Sequence, residues 1–127
     1  MSRRGILLFA HGARDPNWAL PFRTVAARVQ ARDPELIVQL GFLEFMTPAL
    51  AEAGAALATA GCSQVDVVPL FLGAGGHVRK DLPELLATLR AAWPATEWRL
   101  RPAIGEIDSV IDAMADAAFK LTSHPPR

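Results

Sequence analysis

The sequence predicts an α/β fold in which a four-stranded parallel sheet is layered between helices. Three observations carry that prediction. The run GILLFA, residues 5 to 10, is apolar throughout, as in a strand buried on both faces and unlike the alternation of a half-exposed one. A strand-like run followed by a segment of helical periodicity recurs four times along the chain. The connections between runs are long enough only for parallel pairing, which right-handed crossovers satisfy.

After GILLFA, Gly12 and Asp15-Pro16-Asn17 read as a turn and a helix start. Trp18, Phe22, Val25, Ala26 and Val29 recur at helical spacing, and Asp33-Pro34 ends that helix. Leu36 to Phe42 is expected to form the second buried strand. Thr47 is then expected to cap a helix with Pro48 at its first position, and Leu50, Ala53, Gly54 and Leu57 to face inward. Gly61 stands where a left-handed residue ends that helix. Val65 to Leu70 is the third strand, and it runs into a glycine-rich loop. Asp81 is expected to cap a third helix with Leu82, Leu85, Leu86 and Leu89 inward. Trp98 and Leu100 alternate with Glu97, Arg99 and Arg101, the pattern of a strand at a sheet edge. Ile107, Val110, Ile111, Met114 and Leu121 lie on one face of a last helix.

The 127 residues fit one domain, expected over residues 1–122, with 123–127 as a frayed, proline-containing tail. Hydrophobic residues make up 51% and charged ones 20%, a globular composition. Thirteen basic and thirteen acidic side chains give zero net charge, which argues against nucleic acid as a partner. The single Cys62 excludes an internal disulfide and a cysteine zinc cluster. Ser2, Arg3 and Arg4 precede only a short apolar run before His11, so neither a signal peptide nor a membrane span is expected, and the default compartment is the cytoplasm.

With a strand order of 2-1-3-4, the topology reverses between the first and third strands, and ligands bind at the carboxyl ends of strands beside such a switch point. His11 falls one residue past the first strand. His77 falls a few residues past the third, in FLGAGGHVRKDLP. The order therefore predicts that the two imidazoles face each other across one crevice. Gly73, Gly75 and Gly76 carry an entropic cost that special dihedrals or close ligand approach would explain. Two histidines are too few for a closed structural metal site; they suit an ion held in passage, with open positions for a substrate. Glu44, just past the second strand, is a candidate ligand or base, or else a solvated loop carboxylate.

Arg14, Arg79 and Lys80 flank the histidines and would attract a polyanion, while Phe45, Met46, Phe71 and Leu72 either cap the core or offer a flat apolar surface. The glycine loop matches neither phosphate-binding pattern. Ser63, Ser109 and Cys62 have no placement that suggests a nucleophile, and His124 lies in the expected tail.

FAHGARDP, FLEFMTPAL and VVPLFLGAGGHVRKDLP resemble the corresponding segments of the short-form sirohydrochlorin cobaltochelatases, a group within the class II tetrapyrrole chelatases. The resemblance implies a flavodoxin-like three-layer α/β/α sandwich that forms one chelatase half-domain. By motif it assigns the metal-binding, catalytic pair to His11 and His77, and the acidic position to Glu44. It implies a homodimer, with a divalent metal as substrate and no permanently bound cofactor. Co2+ insertion into sirohydrochlorin or its precorrin-2 precursor, toward cobalamin, is the leading expectation, and Fe2+ or Ni2+ insertion is the rival. Arg14, Phe45, Gly75, Gly76, Arg79 and Lys80 would receive the flat, carboxylate-rimmed tetrapyrrole. Ala13 stands where the family often has serine, a departure that bears on substrate detail. A non-catalytic metal or tetrapyrrole carrier, or a small-anion-binding domain of the same shape, are the readings from other classes.

Overall fold

The computed structural model describes residues 3–73 and 75–122, the side chains of residues 76–79 excepted. Strand β1 spans Arg3–Ala10 and leads through a 3-10 turn at Pro16–Ala19 into α1, Leu20–Arg32. Strand β2 (Ile37–Phe42) is followed by α2 (Leu50–Thr59), β3 (Cys62–Pro69) by α3 (Gly76–Ala92), and β4 (Glu97–Leu100) by a second 3-10 turn at Ile104–Glu106 and α4 (Asp108–Thr122). All pairings are parallel and the order is β2-β1-β3-β4, so β4 lies at an edge as its alternation predicts. The expected tail, with His124, lies outside the described residues.

The larger core lies between the sheet and the layer of α2 and α3. Leu7 and Phe9 of β1 and Val65 and Val67 of β3 meet Leu50, Ala53 and Leu57 from α2, and Leu82, Leu86 and Leu89 from α3. Each such burial contributes roughly 1.5–3 kcal/mol relative to exposure. Gly54 gives α2 a close approach to α3, because a Cβ there would press on Leu89 and Trp98. The few polar groups inside are satisfied: the Thr96 hydroxyl donates to the Cys62 carbonyl at 2.9 Å, and the Trp98 indole N–H to the Trp93 carbonyl at 3.2 Å. Burial pushes the Cys62 thiol above its ordinary pKa. Such a thiol is structural, in keeping with the absence of a nucleophile signal. Gly61 follows α2 with φ +91°, the left-handed end the sequence predicts.

The opposite face of the sheet carries a smaller cluster of Ala10, Ala19 and Phe42, with Phe22, Leu40, Met46 and Leu70 packed against it. In α1, Phe22, Ala26 and Val29 are half-buried while Trp18, just before it, and Val25 are exposed. Two expectations are corrected here. Thr47 does not cap α2. The Thr47–Pro48 peptide is cis, the helix starts at Leu50, and the Glu52 carboxylate accepts from the backbone N–H of Ala49 at 3.3 Å. Asp81 does not cap α3, which begins at Gly76 and keeps Pro83 in its interior. A proline inside a helix forfeits one backbone hydrogen bond, so its position pointed to a later start. The described residues do not cover the apolar face of α4, and Ile111 and Met114 are exposed.

Candidate functional site

His11 is the first residue beyond β1, at the carboxyl end of the sheet. Its backbone carbonyl accepts the indole N–H of Trp18 at 2.7 Å, which fixes the turn that follows the strand. Its ring lies against Phe71, with centroids 4.4 Å apart and planes tilted by 33°. Phe71 itself is buried and tilts against Phe9 at 5.8 Å, so the core supports the imidazole from below. Stacking therefore orients the ring, and no described residue is hydrogen-bonded to its nitrogens.

The loop after β2 folds over this end of the sheet. The backbone N–H of Leu43 donates to the Ala10 carbonyl at 2.9 Å, and that of Phe42 to the Pro48 carbonyl at 2.9 Å. Glu44 is thereby brought beside Gly12, where a Cβ would overlap the Glu44 carbonyl. Only glycine admits this approach. Phe45 follows in the left-handed region at φ 62°, a conformation that costs a side-chain-bearing residue roughly 1–2 kcal/mol. Strain of this kind gathers at binding sites. The Arg14 guanidinium sits 5.1 Å from the centre of the exposed Phe45 ring, so a cation and an aromatic face project together from the rim.

The third side is the segment after β3. Phe9 pairs with Pro69, and the backbone N–H of Leu70 donates to the Phe9 carbonyl at 2.7 Å, which holds the ends of β1 and β3 side by side. Leu72 is exposed, and a Cβ at Gly73 or Gly75 would meet nothing within 4 Å. Neither glycine has a left-handed φ. Left-handed dihedrals therefore do not account for Gly73 and Gly75. His77 is the second residue of α3; its side chain, with those of Gly76 and Arg79, lies outside the described residues. Lys80 is exposed.

Two clefts share His11. One, of about 320 Å³, is lined by Phe9, Leu43, Glu44, Asp81, Leu82 and Leu85; the other, of about 360 Å³, by Trp18, Phe22, Leu70, Phe71, Leu72 and Gly73. The first carries carboxylates and the second is apolar and aromatic. Asp81 is the acid that sequence reasoning missed. It was taken for a helix cap, and the true start of α3 places it one helical turn beyond His77. Trp18, known from the sequence only by its helical spacing, lines the aromatic cleft. Met46, expected at the rim, is half-buried in the small cluster. Among the described residues no three His, Cys, Asp or Glu side chains are grouped to hold an ion, so a resident metal site is not formed by them.

This architecture, with its ligand end at the β1–β3 switch, is that of the chelatase-type α/β domain. A CbiX protein from Marinobacter aquaeolei VT8, named for cobalamin (vitamin B12) biosynthesis, superposes with a TM-score of 0.82 at 29% identity, covering 94% of this chain and 97% of that one. The sirohydrochlorin chelatase SirB from Bacillus subtilis subspecies spizizenii, in complex with cobalt, has the same fold, with a TM-score of 0.81 at 23% identity over 93% of this chain and 50% of its own. The chain belongs to the CbiX family, whose model matches residues 5–121. The sirohydrochlorin cobaltochelatase of Methanococcoides burtonii is 34% identical over 82 residues, 65% of this chain and 63% of that protein. That of Saccharolobus solfataricus is 35% identical over 85 residues, 65% of this chain and 62% of its own. The match thus spans slightly less than two thirds of these relatives.

Proposed function

We propose that this protein is a metal chelatase that inserts a divalent ion, Co2+ foremost, into sirohydrochlorin or its immediate precursor. The observation that carries the reading is the placement of His11 as the common wall of a carboxylate-bearing cleft and an aromatic one. Metal insertion exchanges two pyrrole N–H protons for one M2+, so it needs a soft hand-over ligand, proton acceptors and a flat apolar seat. The His11 imidazole supplies the first. Glu44 and Asp81, lining the same cleft, supply acceptors that return protons to water. Phe71, Trp18 and the exposed Leu72 supply the seat, and the Arg14–Phe45 pair receives carboxylate arms at the rim. His77 completes the metal-transferring pair from the start of α3, and Arg79 and Lys80 add charge for the macrocycle's periphery. The metal is a substrate, and the reading requires no resident cofactor. Each cleft lies near the lower end of the roughly 300–1,000 Å³ that ligand pockets span, so a macrocycle needs more wall than one supplies. A cytoplasmic homodimer supplies it.

Imidazole and carboxylate ligands discriminate poorly among first-row ions. The names of the curated relatives favour cobalt over Fe2+ and Ni2+. The test is insertion followed by absorbance, with purified protein, sirohydrochlorin and each ion in turn. His11→Ala is expected to lower turnover by roughly 10²–10⁴-fold while tetrapyrrole binding, read by fluorescence quenching, survives. Insertion no faster than in buffer, with binding intact, would identify a carrier instead.

A further inference from the structure

The turn before α1 closes through its backbone and Asp15. The Asp15 carboxylate accepts the Asn17 backbone N–H at 2.9 Å, and the Asp15 carbonyl accepts that of Trp18 at 3.0 Å. Ala19, fully buried, fastens the turn to the smaller core cluster. The Trp18 side chain is left 45% exposed, tilted against Phe22 with ring centroids 5.6 Å apart. Burial in the core accounts for only part of this side chain.

Its N–H accounts for more. The β1 ladder ends at Ala10: the Phe9 carbonyl accepts from Leu70 and the Ala10 carbonyl from Leu43. The next carbonyl, that of His11, takes its hydrogen bond from a side chain, the Trp18 indole, seven residues on and 2.7 Å away. That length is at the short end of the ordinary N–H···O range. The imidazole residue is thus held at two points, its ring by Phe71 and its backbone by Trp18. Both holders line the same aromatic cleft.

We infer that Trp18 is a positioning residue for His11, and that a flat apolar ligand seated in the aromatic cleft tightens its hold. The inference rests on the chelatase reading above and adds to it a link between the seat and the imidazole. The physical reason is exposure. The indole N–H···O bond is solvent-exposed, so water competes for both partners. A macrocycle lying against the indole displaces that water, and a hydrogen bond strengthens as its surroundings become less polar. The backbone beneath the imidazole then loses freedom as the ring to be metallated arrives. A misplacement of about 1 Å at a reacting centre costs roughly a hundredfold in rate, so the anchor acts on turnover. A role confined to the fold predicts something else: lower stability, with turnover per folded molecule unchanged.

Trp18→Phe separates wall from anchor, because it keeps an aromatic face and deletes the donor; Trp18→Leu removes both. With sirohydrochlorin and Co2+, Trp18→Phe is expected to lower kcat about ten- to a hundredfold. Its Kd for the tetrapyrrole, read by the ligand's own fluorescence, should stay within about threefold, whereas Trp18→Leu should lower kcat equally and raise Kd about tenfold. An unchanged kcat in Trp18→Phe would overturn the inference, as would a weakened Kd that accounts for the whole loss. The unmodified chain supplies a measurement independent of both variants and of insertion. Of its three indole N–H resonances, the one in contact with the Phe22 ring is expected to exchange with solvent more slowly than free indole. It should exchange more slowly still with sirohydrochlorin bound and no metal added. Exchange at the free-indole rate, or no slowing on binding, would overturn the inference. If the unmodified chain inserts neither Co2+, Fe2+ nor Ni2+, the chelatase reading falls, and indole exchange alone then decides the positioning. A tetrapyrrole that does not bind overturns both.

Discussion

His11 gains its chemical freedom from what holds it. The ring is oriented by the face of Phe71 and the backbone by the Trp18 indole, and among the described residues neither ring nitrogen is hydrogen-bonded. Gly12 matters for a different reason, as the point where the Glu44 backbone crosses the end of β1. Adding one methyl group there, in Gly12→Ala, forces the loop of residues 43 to 48 outward. We expect a loss of about 2–3 kcal/mol, in the upper part of the range for overpacking, read as a lower urea midpoint with an unchanged slope. Tetrapyrrole binding should weaken with it, since Phe45 and its Arg14 partner ride on the same loop. An unchanged midpoint would mean that the close approach is not needed.

At the scale of elements, the two inner helices do most to hold the sheet. Leu86, only 1% exposed in the middle of α3, anchors the helix whose first turn contains His77. Leu86→Ala should cost about 2–5 kcal/mol, measured by denaturant unfolding; a cost below 1 kcal/mol would place α3 outside the cooperative core. These elements were readable in the residues because burial enforces their pattern: GILLFA, the Leu50–Leu57 stripe of α2 and the leucines of α3 all face where their spacing directs. The start of α3 was not readable, because Pro83 and a plausible cap at Asp81 imitate a helix beginning at Leu82, six residues later. That one shift of boundary also hid the place of Asp81 on the cleft beside His11. The place of Trp18 on the aromatic cleft was not legible, because a helical period records which side chains share a face, not what that face meets. The same limit applies to α4, whose stripe was legible while its destination was not. That His11 and Glu44 would line one cleft was legible from strand ends alone, since the 2-1-3-4 order converts sequence position into spatial neighbourhood.

For the whole molecule, a formally neutral chain with an uncovered apolar helix is poorly suited to remain single in water. Association by mass action should therefore be visible in thermal unfolding. We expect Tm to rise with protein concentration over about a hundredfold range, as it does whenever the folded state is an assembly. A constant Tm would point to a folded monomer. Among the described residues no helix is long and apolar enough to cross a membrane.

Because one imidazole separates two clefts, His11 can be reached from two directions. If the chelatase reading holds, an ion and a tetrapyrrole that approach this residue through separate clefts are expected to add in random order, and a rate study in which saturating one substrate slows the arrival of the other would count against that layout.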